Sequence, residues 1–210
     1  MKRFTGHMEP WGEFVDAKVN APEVLYRQLR RARKGSILIG TVTDPYQPVE
    51  KHYRITRGCL ETLLERQFPV NILTRSPLAV RDIDLFKQFE DIAVGLSITT
   101  DREDIRKVFE PRSPSIRSRT DAIKTLHDSG IATYAFIGPM LPLDPERLLE
   151  MLVGIVDEVL IDRLNYSNKV KSLYRKAGLA QYLEDSYFVQ TASLVREGFE
   201  RKGVPVSVIF

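Results

Sequence analysis

Six stretches of the chain are almost continuously apolar: SILIGTVT (36–43), VNILT (70–74), IAVGLSITT (92–100), ATYAFIGPM (132–140), EVLIDRLN (158–165) and VPVSVIF (204–210). Short apolar runs without a polar alternation are the pattern of strands covered on both faces, which predicts a parallel sheet. On this reading Leu38 lies in a doubly covered strand, where a lone carboxylate would damage folding. Between the runs, apolar positions recur at helical spacing. Asn20 stands as an N-cap before Pro22 and Glu23, and EVLYRQLRRARKG carries a helix to Gly35 with basic residues in its last turn. ITRGCLETLLERQ (55–67), RDIDLFKQF (81–89), IRSRTDAIKTLHDSG (116–130) and DPERLLEMLVGIV (144–156) repeat the theme. Ser115 and Asp144 stand as the caps of the last two.

Strands alternating with helices imply βα units, hence an α/β fold, either a barrel or an open doubly wound sheet. No short-period repeat, low-complexity tract or linker interrupts residues 1–210, which predicts a single domain. Residues 1–20 show no strand or helix period, although Trp11 and Phe14 offer apolar cover for a sheet edge.

With 210 residues and 43% hydrophobic positions, the chain can bury a sizeable core. Its longest apolar runs last about ten residues, well short of the ~20 a bilayer requires, and the start MKRFTGHMEP has no apolar stretch of a secretory signal. The expectation is a cytoplasmic protein that does not engage membranes. A single cysteine, Cys59, excludes a disulfide framework and any metal cluster built on this chain's cysteines alone. The formal net charge of +3 permits an anionic ligand without by itself indicating nucleic acid.

In parallel α/β sheets, ligands sit at the carboxyl ends of the strands. The residues there are Thr41, Thr43 and Asp44; Thr74, Arg75 and Ser76; Ser97, Thr99 and Thr100; Gly138 and Pro139; and Arg163 with Asn165. Singly, each is also an ordinary turn or capping residue; as a rim of hydroxyls, one acid and two arginines they suit a polar ligand bearing a carboxylate, an amine or a ribose. VFEPRSPSIRSRTDA (108–122) adds Arg112, whose guanidinium fork is either a carboxylate clamp or part of a plain surface loop. Arg27, Arg30, Arg31, Arg33 and Lys34 read as a solvated helix end, with DNA phosphates as the alternative. His7, His52 and His127 have no metal-ligand spacing, Cys59 reads as a small core residue, and no GxSxG, P-loop or GxGxxG occurs.

KRFTGHMEPWGEFVDAKVNAPEVL, GTVTDPYQPVEKHYRITRGCLETL, ILTRS, VGLSITT, FEPRSPSIRSR and YAFIGPMLP, taken in order, resemble the radical S-adenosylmethionine (SAM) proteins related to spore photoproduct lyase, a group labelled DNA repair photolyase-like. The resemblance runs from residue 2 to at least residue 165. It implies a partial (βα)6 TIM-type barrel. It also implies a [4Fe–4S] cluster on a CxxxCxxC loop after the first strand, with SAM chelated by the iron left open and cleaved reductively to a 5′-deoxyadenosyl radical. A lyase-type activity, an electron donor such as a ferredoxin or flavodoxin, and nucleic acid as a candidate substrate go with it.

Carried over by position, Thr41, Thr43 and Asp44 resemble the segment that meets the methionyl amine, and Arg75 a basic residue near the methionine moiety. Ser97 and Thr99 resemble the ribose contacts, and Gly138 with Pro139 the apolar motif beside adenine. Together with Arg112 these form the expected SAM set. The departure lies upstream: the cysteine loop and first strand of the family precede the stretch that here begins MKRFTGH. The expectation is an N-terminally incomplete core, from a late start, a fragment or a degenerate copy. Such a chain would be inactive alone for want of cluster cysteines, the cluster belonging to an upstream-extended form. Two alternatives stay open: a non-catalytic barrel that binds nucleic acid or another anionic ligand, and a redox-free α/β enzyme with Asp44 and Glu110 as acid and base.

Overall fold

The computed structural model describes residues 6–10, 12–165 and 167–209. The six apolar stretches form strands β1 (Ile37–Ile39), β2 (Val70–Thr74), β3 (Ile92–Ser97), β4 (Ala132–Ile137), β5 (Glu158–Ile161) and β6 (Val206–Val208), all parallel and hydrogen-bonded in the order β1-β2-β3-β4-β5-β6. A doubly wound sheet reverses its strand order at a switch point; this one never does, which selects the partial barrel of the two predicted α/β arrangements. The helices are α1 (Ala21–Leu29), α2 (Glu50–Tyr53), α3 (Ile55–Leu64), α4 (Ile83–Phe86), α5 (Glu103–Phe109), α6 (Ile116–Asp128), α7 (Pro145–Leu152), α8 (Ser167–Lys176) and α9 (Asp185–Glu200). Among the described residues no helix is long and apolar enough to cross a membrane.

Cross-strand register sorts the side chains into two faces. Val70, Ile72, Val94, Leu96, Ile137, Val159 and Ile161 are buried in the main core with Leu60, Leu63, Ile123, Leu126, Leu148 and Phe199 of the helices. On the opposite, concave face, Leu73, Gly95, Tyr134 and Glu158 fall in one row and Ser97, Phe136, Leu160 and Ser207 in the next. Gly95 leaves the space into which Tyr134 lies: a Cβ there would stand 2.1 Å from the ring, whose hydroxyl crosses β3 to donate to the Ile72 carbonyl at 2.9 Å. Tyr134 thus fills the floor of the barrel.

The rule that apolar runs are covered on both faces fails at β1. Leu38 is 54% exposed because β1 is an edge strand and its concave side faces the open cavity at the strand ends. Leu38→Asp is therefore expected to cost less than about 1 kcal/mol, as surface substitutions do. A thermal melt within a few degrees of the parent protein's checks this; a collapse of the melting temperature would return Leu38 to the core.

The caps follow the sequence at two helices. Ser115 Oγ accepts the Ser118 N–H at 3.1 Å, and Asp144 Oδ1 accepts those of Glu146 and Arg147 at 3.0 and 3.3 Å. α1 differs: the Asn20 side chain makes no cap, and the helix ends at Leu29 rather than Gly35. Arg66 donates to the Leu29 carbonyl, satisfying one of the carbonyls a helix end leaves open. Helices α2, α5, α8 and α9 lie in segments where the pattern predicted none. Phe14 stacks on His7 with ring centroids 4.0 Å apart and Glu13 is exposed, while Trp11, the other apolar cover expected near the amino terminus, lies outside the described residues.

Candidate functional site

Gly40 ends β1 with φ +111°, and the chain then turns over the carboxyl end of β2. Asp44 fixes that turn. Its Oδ1 accepts the Tyr46 N–H at 2.8 Å and the Thr74 hydroxyl at 2.5 Å, and its Oδ2 accepts the Arg75 N–H at 2.7 Å. A carboxylate offers about four acceptor sites, so three are already used within the protein. Asp44 is first a tie between two strand ends, a role its position after an apolar run did not reveal.

Beneath the loop lies a buried charged network. The Tyr46 hydroxyl donates to Asp82 Oδ2 at 3.1 Å, while Arg57 and Arg81 donate to Asp82 Oδ1, each at 2.9 Å. Arg81 also reaches Glu50 Oε1 at 3.0 Å, and Glu50 accepts the Thr56 N–H at 3.1 Å. Burial pushes the Asp82 carboxyl up, but the hydrogen bonds from Arg81 and Arg57 outweigh it and hold the group below the usual carboxylate range.

The loop and the strand ends enclose a cavity of about 560 Å³. Thr41, Thr43, Asp44, Arg75, Ser97, Gly138, Pro139, Arg163 and Asn165 line it, over a floor that includes Leu73, Tyr134, Phe136 and Leu160. Arg75 donates its Nε–H to Glu110 Oε1 at 3.1 Å. Among the described residues its two terminal nitrogens have no protein acceptor. The peptide bond between Gly138 and Pro139 is cis, and a Cβ on Gly138 would stand 2.4 Å from the Phe136 ring, so the backbone there comes close to the floor only as glycine.

Two residues of the expected set stand apart. Thr99 is buried and not in the cavity wall; among the described residues its Oγ1 has no hydrogen-bond partner. Arg112 is exposed, outside the cavity wall, and its Nη1 lies 3.3 Å from the Gly12 carbonyl oxygen. The proposed acid–base pair also changes character, because Glu110 is held by two arginines and Asp44 by three donors, which makes both structural anions.

One cavity residue went unread: Asp162, directly after β5. Burial pushes its carboxyl up, and among the described residues no salt bridge to it is seen; Arg163 beside it pairs with Asp185 and lies over the Phe188 ring. The signal was available, since Asp162 follows an apolar run as Asp44 does. Cys59 is partly buried, and burial pushes its thiol up to about 11, which keeps it protonated at neutral pH. Among the described residues no three His, Cys, Asp or Glu side chains stand together as metal ligands.

A family model described as the radical SAM superfamily matches residues 5–155. An uncharacterized protein of Methanocaldococcus jannaschii is 42% identical over 141 residues, which cover 66% of this chain and 53% of that relative. The chain thus spans about half the length of that relative. A solved structure of spore photoproduct lyase with a dinucleoside spore photoproduct superposes with a TM-score of 0.68 at 12% identity, covering 90% of this chain and 67% of the other. Streptococcus suis SuiB bound to S-adenosylmethionine gives 0.62 at 15% identity, covering 94% and 45%. At such identities the two structures speak for the fold.

Proposed function

Because the chain belongs to the radical SAM superfamily, we propose that the cavity at its strand ends binds SAM. The observation that carries this reading is Arg75, which lines the cavity with its Nε engaged by Glu110 and, among the described residues, no protein acceptor at its two terminal nitrogens. A planar fork with two open donors matches a carboxylate. The hydroxyls of Thr41 and Thr43, with the remaining acceptor site of Asp44, suit the methionyl ammonium. Ser97 serves the ribose; Thr99, buried outside the cavity wall, takes no part. Gly138 and Pro139 take the adenine against the Phe136 side of the floor. Arg112 is left out of this assignment, and Asp162 is added as a hydrogen-bonding group on the β5 side.

When bound, SAM supplies the 5′-deoxyadenosyl group that this family uses for hydrogen abstraction. The protein's part is to hold the methionyl end by its charges, seat the nucleoside on an apolar floor and limit water. The family implies a [4Fe–4S] cluster as well. This chain carries one cysteine, Cys59, against the three of a CxxxCxxC loop, so its own residues do not fit such a cluster.

Nucleic acid as the substrate draws its support from the likeness to spore photoproduct lyase, whose solved complex holds a dinucleoside photoproduct. A ferredoxin or flavodoxin as electron donor rests on the family expectation alone.

Direct titration with SAM tests the site. The parent chain should bind saturably, and Arg75→Ala should bind at least about tenfold more weakly, the worth of a charge-assisted hydrogen bond to a carboxylate. The melting temperature should stay close to the parent's, because the Arg75 side chain is 37% exposed. Equal affinity in the two proteins would move the ligand away from Arg75.

A further inference from the structure

Behind Arg75 stands a chain of charges that runs from the cavity into the interior. Glu110 Oε1 accepts the Arg75 Nε–H at 3.1 Å, and Glu110 Oε2 accepts from Arg119 Nη2 at 2.7 Å. Exposure falls along it, from 37% at the Arg75 side chain to 9% at Glu110 and 1% at Arg119. Arg119, in the second turn of α6, also donates from Nη1 to the Ser97 carbonyl and from Nε to the Pro114 carbonyl, both at 3.0 Å. Arg106 fixes the same loop from the other side, its Nη1 donating to the Glu110 and Ser113 carbonyls, both at 2.9 Å. Neither Glu110 nor Arg119 lines the cavity.

We infer that Glu110 and Arg119 are positioning residues that set Arg75 in place for a ligand carboxylate, an inference that rests on the SAM reading above. A free glutamate would take an arginine by both oxygens and use up its fork. Here Arg119 occupies Oε2, so Glu110 engages Arg75 through Nε alone and leaves the outer pair of nitrogens open to an incoming carboxylate. The two arginines and one glutamate sum to a single positive charge, and the interior member is neutralised where it is buried. The surplus sits at the cavity. The bonds to the Ser97 and Pro114 carbonyls hold Arg119 itself in place beside Glu110. Side chains held this way need not be ordered when the ligand arrives.

The test compares two probes: S-adenosylhomocysteine, which carries the amino-acid end, and 5′-methylthioadenosine, which lacks it. The parent chain should prefer the first. Glu110→Gln retains the shape but loses the charge, and should lower affinity for S-adenosylhomocysteine about tenfold while leaving 5′-methylthioadenosine unchanged. Arg119→Lys, whose single ammonium lacks the planar fork that reaches Pro114, Ser97 and Glu110 from three separate nitrogens, should do the same and carries the comparison if Glu110→Gln does not fold. A merely structural role would weaken both probes together. In the Arg75→Ala background neither change should cost more, since the group being positioned is gone. If the parent discriminates between the probes and both variants keep the parent's preference, the positioning role is overturned and the site stands. If the parent does not discriminate, the site itself is overturned and this inference with it.

Discussion

Asp82→Ala is expected to destabilise the protein by on the order of 3 kcal/mol, because it leaves Arg57 and Arg81 facing a buried position without their shared carboxylate. Asp82 is fully buried and accepts from both arginines and from Tyr46. For a chain of this size the melting temperature should fall by roughly 10 °C. The damage should extend to the ligand loop, since Tyr46 anchors that loop and its backbone N–H is bonded to Asp44. The same residue predicts a pH dependence. Its folded-state pKa lies below its ordinary value, so its contribution is fully present above the unfolded carboxylate pKa of about 3.9 and is lost as pH falls through the folded value. Melts of the parent at pH 7 and pH 3 should therefore differ more than melts of Asp82→Asn. An equal pH response in the two proteins would show that Asp82 does not carry this stabilisation.

Gly40→Ala should be comparably severe and should strike the site more directly. A Cβ at this position would stand 2.0 Å from the Leu73 carbonyl oxygen and 3.2 Å from the Pro45 ring, on a residue whose φ is +111°. The clash is with backbone, which belongs to a paired strand and cannot swing aside as a side-chain tip would. The loop must lift off the end of β2, breaking the bonds from Thr74 and Arg75 to Asp44. We expect a loss of about 3 kcal/mol in stability and loss of measurable SAM binding. Gly35→Ala, with open space around it and no positive φ, is the matched control and should melt like the parent. If the two variants bind SAM equally well, the turn at Gly40 does not hold the site.

Much of the cavity's lining is legible in the sequence. Thr41, Thr43, Asp44, Arg75, Ser97, Gly138 and Pro139 lie at the ends of apolar runs, and the barrel brings them to one cavity. Asp162 obeys the same rule and was passed over between Ile161 and Arg163. Helix α9 was also readable in part: Phe188, Ala192, Val195 and Phe199 keep helical spacing, though Thr191 and Gly198 dilute the stripe.

Local pattern therefore determined the strands, their parallel class and the ends at which chemistry collects, because a strand's period and a cap's residue type act over a few positions. It could not determine what those side chains spend their bonds on. Arg75 meets Glu110 across 35 positions and Tyr46 meets Asp82 across 36, and no spacing rule links residues so far apart. Likewise, Leu38 and Leu96 look alike in the sequence, yet one is 54% exposed and the other buried. Strand order and the face of the sheet together decide that difference: Leu38 lies on the concave side of an edge strand, where among the described residues no neighbouring strand or helix excludes water, and Leu96 lies on the helix-covered face of a central one.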